Sequence, residues 1–332
     1  MTRSSSLITP EEGVESQNTE PATPEVSQTP SAGHASPDKP VAEVTAIRAD
    51  RGWQAIDLPE LWRFRELFWM LALRNIKVRY KQTVLGFAWA LIQPLAFTIV
   101  GSLLFAGSID FAPAFLFFLA SLLPWQMFDS SLSQASNSLV SAQGMIKKIY
   151  FPRLILPFGS AMVTFVDLLV QLAMITLIML ALPIAAWLLG GPPAEDDPAW
   201  RQNIVAHVPP IQVFLLPLAM IWSFMASMSV ALWLAALNVQ YRDIRYILPF
   251  ITKFLIFAAP VFWSVQVIEN DTLRAIYGLL PVAAPIEFFR WCLLGTPPTP
   301  LLWTVGLISS SAFLVLGLFY FRRMERTFAD VV

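Results

Sequence analysis

Four cations, Arg74, Lys77, Arg79 and Lys81, crowd the stretch RNIKVRYK. Arginine offers phosphate a planar two-pronged fork and lysine a point charge. The run is therefore suited to a phosphate-bearing headgroup, or equally to a surface of anionic lipid. Two further charges stand inside apolar sequence, Asp167 and Lys253, where an ionisable group is costly unless it is paired or used. No second acid or histidine shares the run around Asp167, which favours an interhelical hydrogen bond over a proton relay. Lys253 either faces a substrate or snorkels to the nearer interface. Classes of catalytic chemistry can be excluded. There is no phosphate loop, no H-E-x-x-H and no G-x-S-x-G. The single cysteine, Cys292, forms no internal disulfide, and His34 and His207 stand in no metal-binding spacing. The expectation is a chain with no catalytic residue, no metal and no cofactor of its own.

The element that must carry the cations begins near Pro59. At 100° per residue, Arg63, Glu66, Arg74, Lys77 and Lys81 share one arc, and Phe64, Leu67, Phe68, Leu71 and Val78 group on another side. Arg65 and Arg79 fall off the polar arc, so the amphipathicity is imperfect. Such a helix lies in the headgroup plane. It runs into VLGFAWALIQPLAFTIVGSLLFA, Val84–Ala106, which carries no charge and is long enough for a hydrocarbon core of about 30 Å. The basic run then serves either as the positive flank of a first span or as an interfacial helix that also docks a partner.

Composition agrees. The 332 residues are 56% hydrophobic and 14% charged, with mean hydropathy +0.60, whereas soluble domains carry about 25% charged residues. Twelve Trp and 25 Phe suit interface belts or an aromatic-lined passage. A net charge of −1 offers no global field for nucleic acid, and no such partner is expected. Residues 1–52 are rich in Ser, Thr, Pro and Glu, with no aromatic residue. They read as a disordered cytoplasmic tail without the apolar core of a signal peptide. Residues 53–82 read as linker and interface helix, 83–321 as the transmembrane domain, and 322–332 as a cytoplasmic C-terminus.

Six spans are expected. After Val84–Ala106 comes Phe111–Phe128, closed by Asp129, and then a polar cytoplasmic stretch, Ser130–Arg153, ending in KKIYFPR. Leu154–Leu189 is too long for one straight span, and Pro183 is expected to end a helix near Leu182. Gly190–Pro210 reads as an outer loop and Ile211–Leu237 as a fourth span. Asn238–Tyr246 forms a basic turn, Leu248–Val265 a fifth span and Leu301–Phe321 a sixth. The apolar Gly278–Gly295 could pass for a seventh, but Pro281, Pro285, Glu287 and Arg290 oppose that. With six spans only Arg201, Arg274 and Arg290 of the 22 Lys and Arg lie outside; a seventh crossing would export Arg322, Arg323 and Arg326 against the positive-inside tendency. That segment is therefore expected to be re-entrant or interfacial on the outer side. In the fifth span Phe250, Phe254, Phe257 and Val261 recur along one helical face.

The stretches LALRNIKVRYKQTVLGFAWALIQP, NSLVSAQGMIKKIYFPRLILP, ALNVQYRDIRYILPF and FRRMERTFADV closely resemble, in that order, the permease subunit of ABC exporters for bacterial surface polysaccharides. These are the O-antigen, capsule and teichoic-acid exporters. The resemblance covers about Leu61 to Asp330; the long N-terminal tail departs from it. It implies an all-α, multi-pass, homodimeric protein of the bacterial inner membrane, with six helices, an amphipathic interface helix and short gate helices between the fifth and sixth. Two copies of a separate ATP-binding subunit would hold ATP and Mg. The substrate would be a lipid-linked polysaccharide, its diphosphate met by Arg74, Lys77, Arg79 and Lys81. It implies a channel bordered by the first and fifth helices, making Trp89, Gln93, Phe97, Phe250, Lys253, Phe254 and Phe257 candidate lining. Ser133–Lys148 would hold the segment that meets the ATPase, with Gly144, Met145, Lys147 and Lys148 as coupling candidates. Competing readings are export of a small lipid or drug, and an ion-coupled secondary transporter. The latter usually shows internal repeats and several intramembrane acids; no repeat is visible, and only Asp167 fits.

Overall fold

The computed structural model describes residues 58–81, 86–105, 111–190 and 210–325. The chain divides into Met1–Ala49 and Asp50–Val332, and every described residue belongs to the second unit. The expected tail, residues 1–52, lies outside the described residues, as does most of the expected outer loop. Among those described there are helices and turns but no strand.

The basic helix is broken once. Leu58–Arg63 (α1) and Arg65–Lys81 (α2) are joined through Phe64, with Phe64 N–H still donating to Glu60 O at 3.2 Å. Pro59 sits in the first turn, where its missing N–H costs nothing. Leu71 and Ala72 are buried, and both pack against Gly159. Val78, expected on the apolar side, is exposed. The buried face follows Leu67, Phe68, Leu71 and Ala72 instead.

Four described helices are long and apolar enough to cross a membrane: Pro113–Ser141, Ile155–Ala185, Ile211–Gln240 and Pro300–Met324. They belong to Phe111–Ser141 (α4), Ile155–Gly190 (α6), Leu216–Gln240 (α7, led in by a 3-10 turn from Ile211) and Pro300–Met324 (α11). Gly86–Phe105 (α3) contains a shorter apolar stretch, Ala90–Leu104. The remaining helices are Gln143–Ile146 (α5), Ile244–Ala258 (α8), Asp271–Tyr277 (α9) and Ala283–Leu294 (α10). The central member is α4, which touches α3, α6, α7, α8 and α10. Two apolar clusters share it. One gathers Trp125, Phe128, Phe151, Leu154 and Phe321, and the other Leu119, Leu123, Phe288, Phe289 and Leu302. Close helix approach is bought with small residues: a Cβ on Gly306 of α11 would stand 2.2 Å from Ala284 Cβ, and one on Gly317 would stand 2.8 Å from the Trp233 indole nitrogen.

Three expected boundaries move. Helix α4 runs straight through Asp129 to Ser141, because Asp129 takes a hydrogen bond from Thr252 and the charge of Lys253 beside it. Pro183 does not end α6; a proline in a membrane helix is tolerated where neighbours absorb the freed carbonyl. The fifth helix stops at Ala258 rather than Val265. The chain reverses at Ala259–Ser264, and a buried ion pair holds the reversal. Arg290 of α10, 0% exposed, bonds Glu287 at 2.9 Å and Ser121 Oγ at 2.7 and 3.1 Å. It also donates to the carbonyls of Pro260 and Trp263 and lies 3.9 Å from the Phe117 ring centroid. Glu287 accepts Val265 N–H at 2.7 Å. Apolar backbone can thus turn in a dry place because one guanidinium satisfies its carbonyls.

Candidate functional site

The last turn of α2 delivers Arg79 and Tyr80 to a polar cavity of about 190 Å³ between α3, α4 and α6. Arg79 Nη2 pairs with Asp167 Oδ2 of α6 at 2.7 Å, and the Tyr80 hydroxyl donates to the other carboxylate oxygen. Burial, and then the bond to Asp167, raise the Tyr80 pKa, so it remains a donor. One turn along α6, Gln171 Nε2 donates to Ala90 O at 3.1 Å and to Gln126 Oε1 at 3.0 Å. Deeper support comes from Ser131 of α4 and Thr164 of α6, whose hydroxyls meet at 2.7 Å. Gln93, Asp129 and Ser130 complete the polar lining. Among the described residues the Gln126 Nε2 is buried with no partner, and a buried donor left so costs about 1–3 kcal/mol.

The four cations of the basic run are shared between two open grooves. Arg74, Lys77 and Lys81 line one of about 430 Å³ with Met70, Leu73 and Val78, and Arg74 and Arg79 together line another of about 580 Å³. Arg79 also pairs with Asp167. Asp167 is therefore an interhelical partner, as its isolation in sequence suggested. It is not the lone acid, however, because Asp129 lies on the same cavity, which weakens one of the two sequence grounds against ion coupling and leaves the other, the lack of a visible repeat, in place.

On α8, Phe250, Phe254 and Phe257 are 64%, 61% and 67% exposed, with the first two rings 4.8 Å apart. Lys253 beside them is exposed too. Val261, the fourth member of the expected stripe, is buried beyond the helix end. Phe257 instead stacks on Phe262 at 5.5 Å. Gln93 and Phe97 are exposed on α3; the side chain of Trp89 lies outside the described residues. Gly144, Lys147 and Lys148 are exposed at α5, where Met145 is half-buried against the apolar cluster.

The ABC-2 type transporter family matches residues 66–294, from the basic helix through the buried ion pair. The chain belongs to the ABC-2 type transporter family. It is similar to the O-antigen export system permease protein RfbA of Myxococcus xanthus, 25% identical over 221 residues, which is 65% of this chain and 75% of that protein. The protein of the same name from Klebsiella pneumoniae is 22% identical over 276 residues, 80% of this chain and 95% of the relative. An ABC-2 transporter of this kind is a multi-pass membrane permease. The cavity residues Gln126, Asp129 and Gln171 were missed from sequence. Their signal was the spacing, Gln126/Asp129 at i, i+3 and Asp167/Gln171 at i, i+4, each pair on one face of an apolar helix.

Proposed function

We propose that this ABC-2 transporter subunit is the membrane-spanning permease of an ATP-driven exporter of a lipid-linked surface polysaccharide. The observation that carries the reading is the likeness to O-antigen export permeases over 80% of this chain. In this reading α3, α4, α6, α7, α8 and α11 are the six spans, both termini are cytoplasmic, and the membrane is the bacterial inner membrane. Two copies of the chain enclose the passage, with the aromatic face of α8 along it, since sugar C–H faces stack on rings without a fixed hydrogen-bond register. The groove of Arg74, Lys77 and Lys81, with Arg79 behind it, meets the diphosphate of the lipid carrier. Helices α9 and α10 form the outer gate. Two ATP-binding subunits supply hydrolysis, with ATP and Mg held there.

Coupling falls to α5. A Cβ on Gly144 would meet nothing within 4 Å, so a side chain can start there without a clash, and Gly144→Trp is expected to fold and to fill the space a docked ATPase needs. The expected result in the co-expressed complex is a normal yield of permease with export reduced at least tenfold. Surface glycan and copurifying ATPase are measured together. Full export by Gly144→Trp removes α5 from the coupling role.

A further inference from the structure

Three segments that share no helix meet where α11 ends. Glu325, the residue that caps α11, accepts Arg153 N–H at 3.0 Å and returns its own carbonyl to the Arg153 guanidinium at 2.6 Å. Arg322, one turn earlier, forks between two carboxylates, Glu325 at 2.8 Å and Glu60 of α1 at 3.5 Å. Tyr150 closes the ring by donating to Glu60 at 3.2 Å. Beneath these charges Leu154, Leu318 and Phe321 help to enclose a void of only about 10 Å³, room for no more than one water.

We infer that Glu60, Tyr150, Arg153, Arg322 and Glu325 form a transmission junction, which makes the connection between α5 and α6 move as one body with α1 and the end of α11. This rests on the reading that α5 meets the ATPase. The geometry suits transmission rather than a simple cap. Arg153 donates twice to Glu325, from its backbone to the side chain and from its side chain to the backbone, which fixes orientation as well as distance. The Arg322 fork then carries the constraint to a third element. Two carboxylates balance two guanidinium groups, and burial, with Glu60 beside it, raises the Tyr150 pKa, so the phenol keeps its proton and remains a donor. A push on α5 therefore reaches the interface helix and the last span together. The five are positioning residues.

The test uses the full permease–ATPase complex, with Cys292→Ser and spin-label pairs confined to one permease copy. Trp62, on α1, is 71% exposed, and Lys148 and Thr272 are exposed too. On adding nucleotide, the Lys148–Thr272 distance is expected to change and the Trp62–Lys148 distance to stay fixed. In Glu325→Ala the second distance should also change, with ATP hydrolysis retained and export down at least tenfold. Glu325→Gln, which keeps the acceptor for Arg153 N–H, should retain at least half of export. If both distances change in the unaltered protein, the junction is wrong and the coupling role of α5 stands. If neither changes, both fall. Should Glu325→Ala not fold, the two distances in the unaltered protein still decide.

Discussion

Arg290→Ala is expected to abolish recovery of folded protein, while Asp271→Ala leaves it unchanged. The two substitutions each break an i, i+3 ion pair in neighbouring helices, and burial separates their outcomes. Asp271 is 76% exposed in its side chain and sits 3.2 Å from Arg274, a pair worth about 0–1 kcal/mol. Arg290 and Glu287 are 0% and 2% exposed in theirs. Removing the guanidinium leaves Glu287 as an uncompensated buried charge, which costs about 3–5 kcal/mol. It also strips the donor from the carbonyls of Pro260 and Trp263, where the chain leaves α8. The measurement is the yield and thermal midpoint of monodisperse protein in detergent. Glu287→Leu with Arg290→Met should recover part of the loss, since no lone charge remains. A midpoint for Arg290→Ala equal to that of the unaltered protein would show that the reversal is held by something else.

The second large effect concerns the clasp between α2 and α6. Asp167→Ala is expected to fold, to lose about 1–2 kcal/mol of stability and to lower export at least tenfold. The stability cost is well below that of Arg290 because Arg79 is 42% exposed in its side chain and can turn to water when its partner goes. Function is hit harder than stability: the clasp holds the last turn of α2 against the cavity, and the proposed headgroup cations sit on that same helix. A double-mutant cycle of Arg79→Ala and Asp167→Ala separates the pair from its surroundings. The double variant should be no worse than Asp167→Ala alone. Additive losses would mean that Arg79 and Asp167 act independently.

The sequence made the membrane class and the basic helix legible because the first is written in composition and the second in the spacing of its side chains. Its boundaries failed where tertiary partners override local signals. Asp129 looked like the end of a span only because its partner, Thr252, lies on α8, far along the chain. The run Val261–Val265 looked like the continuation of a helix because hydropathy does not register a chain reversal whose carbonyls are satisfied by a distant arginine. Pro183 looked like a stop, although α6 continues to Gly190. The cavity was illegible for a related reason. Its amides are uncharged and come from separate helices, so only their i, i+3 and i, i+4 pairing marked them. The cation cluster was read as one patch, yet Arg79, off the polar arc by its angle, is the member that also pairs with Asp167.

The central claim is that this chain carries a lipid-linked polysaccharide across the membrane. It is tested most directly by removing the chain from its host and following the fate of radiolabelled sugar. The account predicts that labelled lipid-linked glycan accumulates, out of reach of an externally added glycosidase, while surface polysaccharide disappears; restoring the chain should reverse both. Unchanged surface polysaccharide with no accumulation of lipid-linked glycan would contradict it.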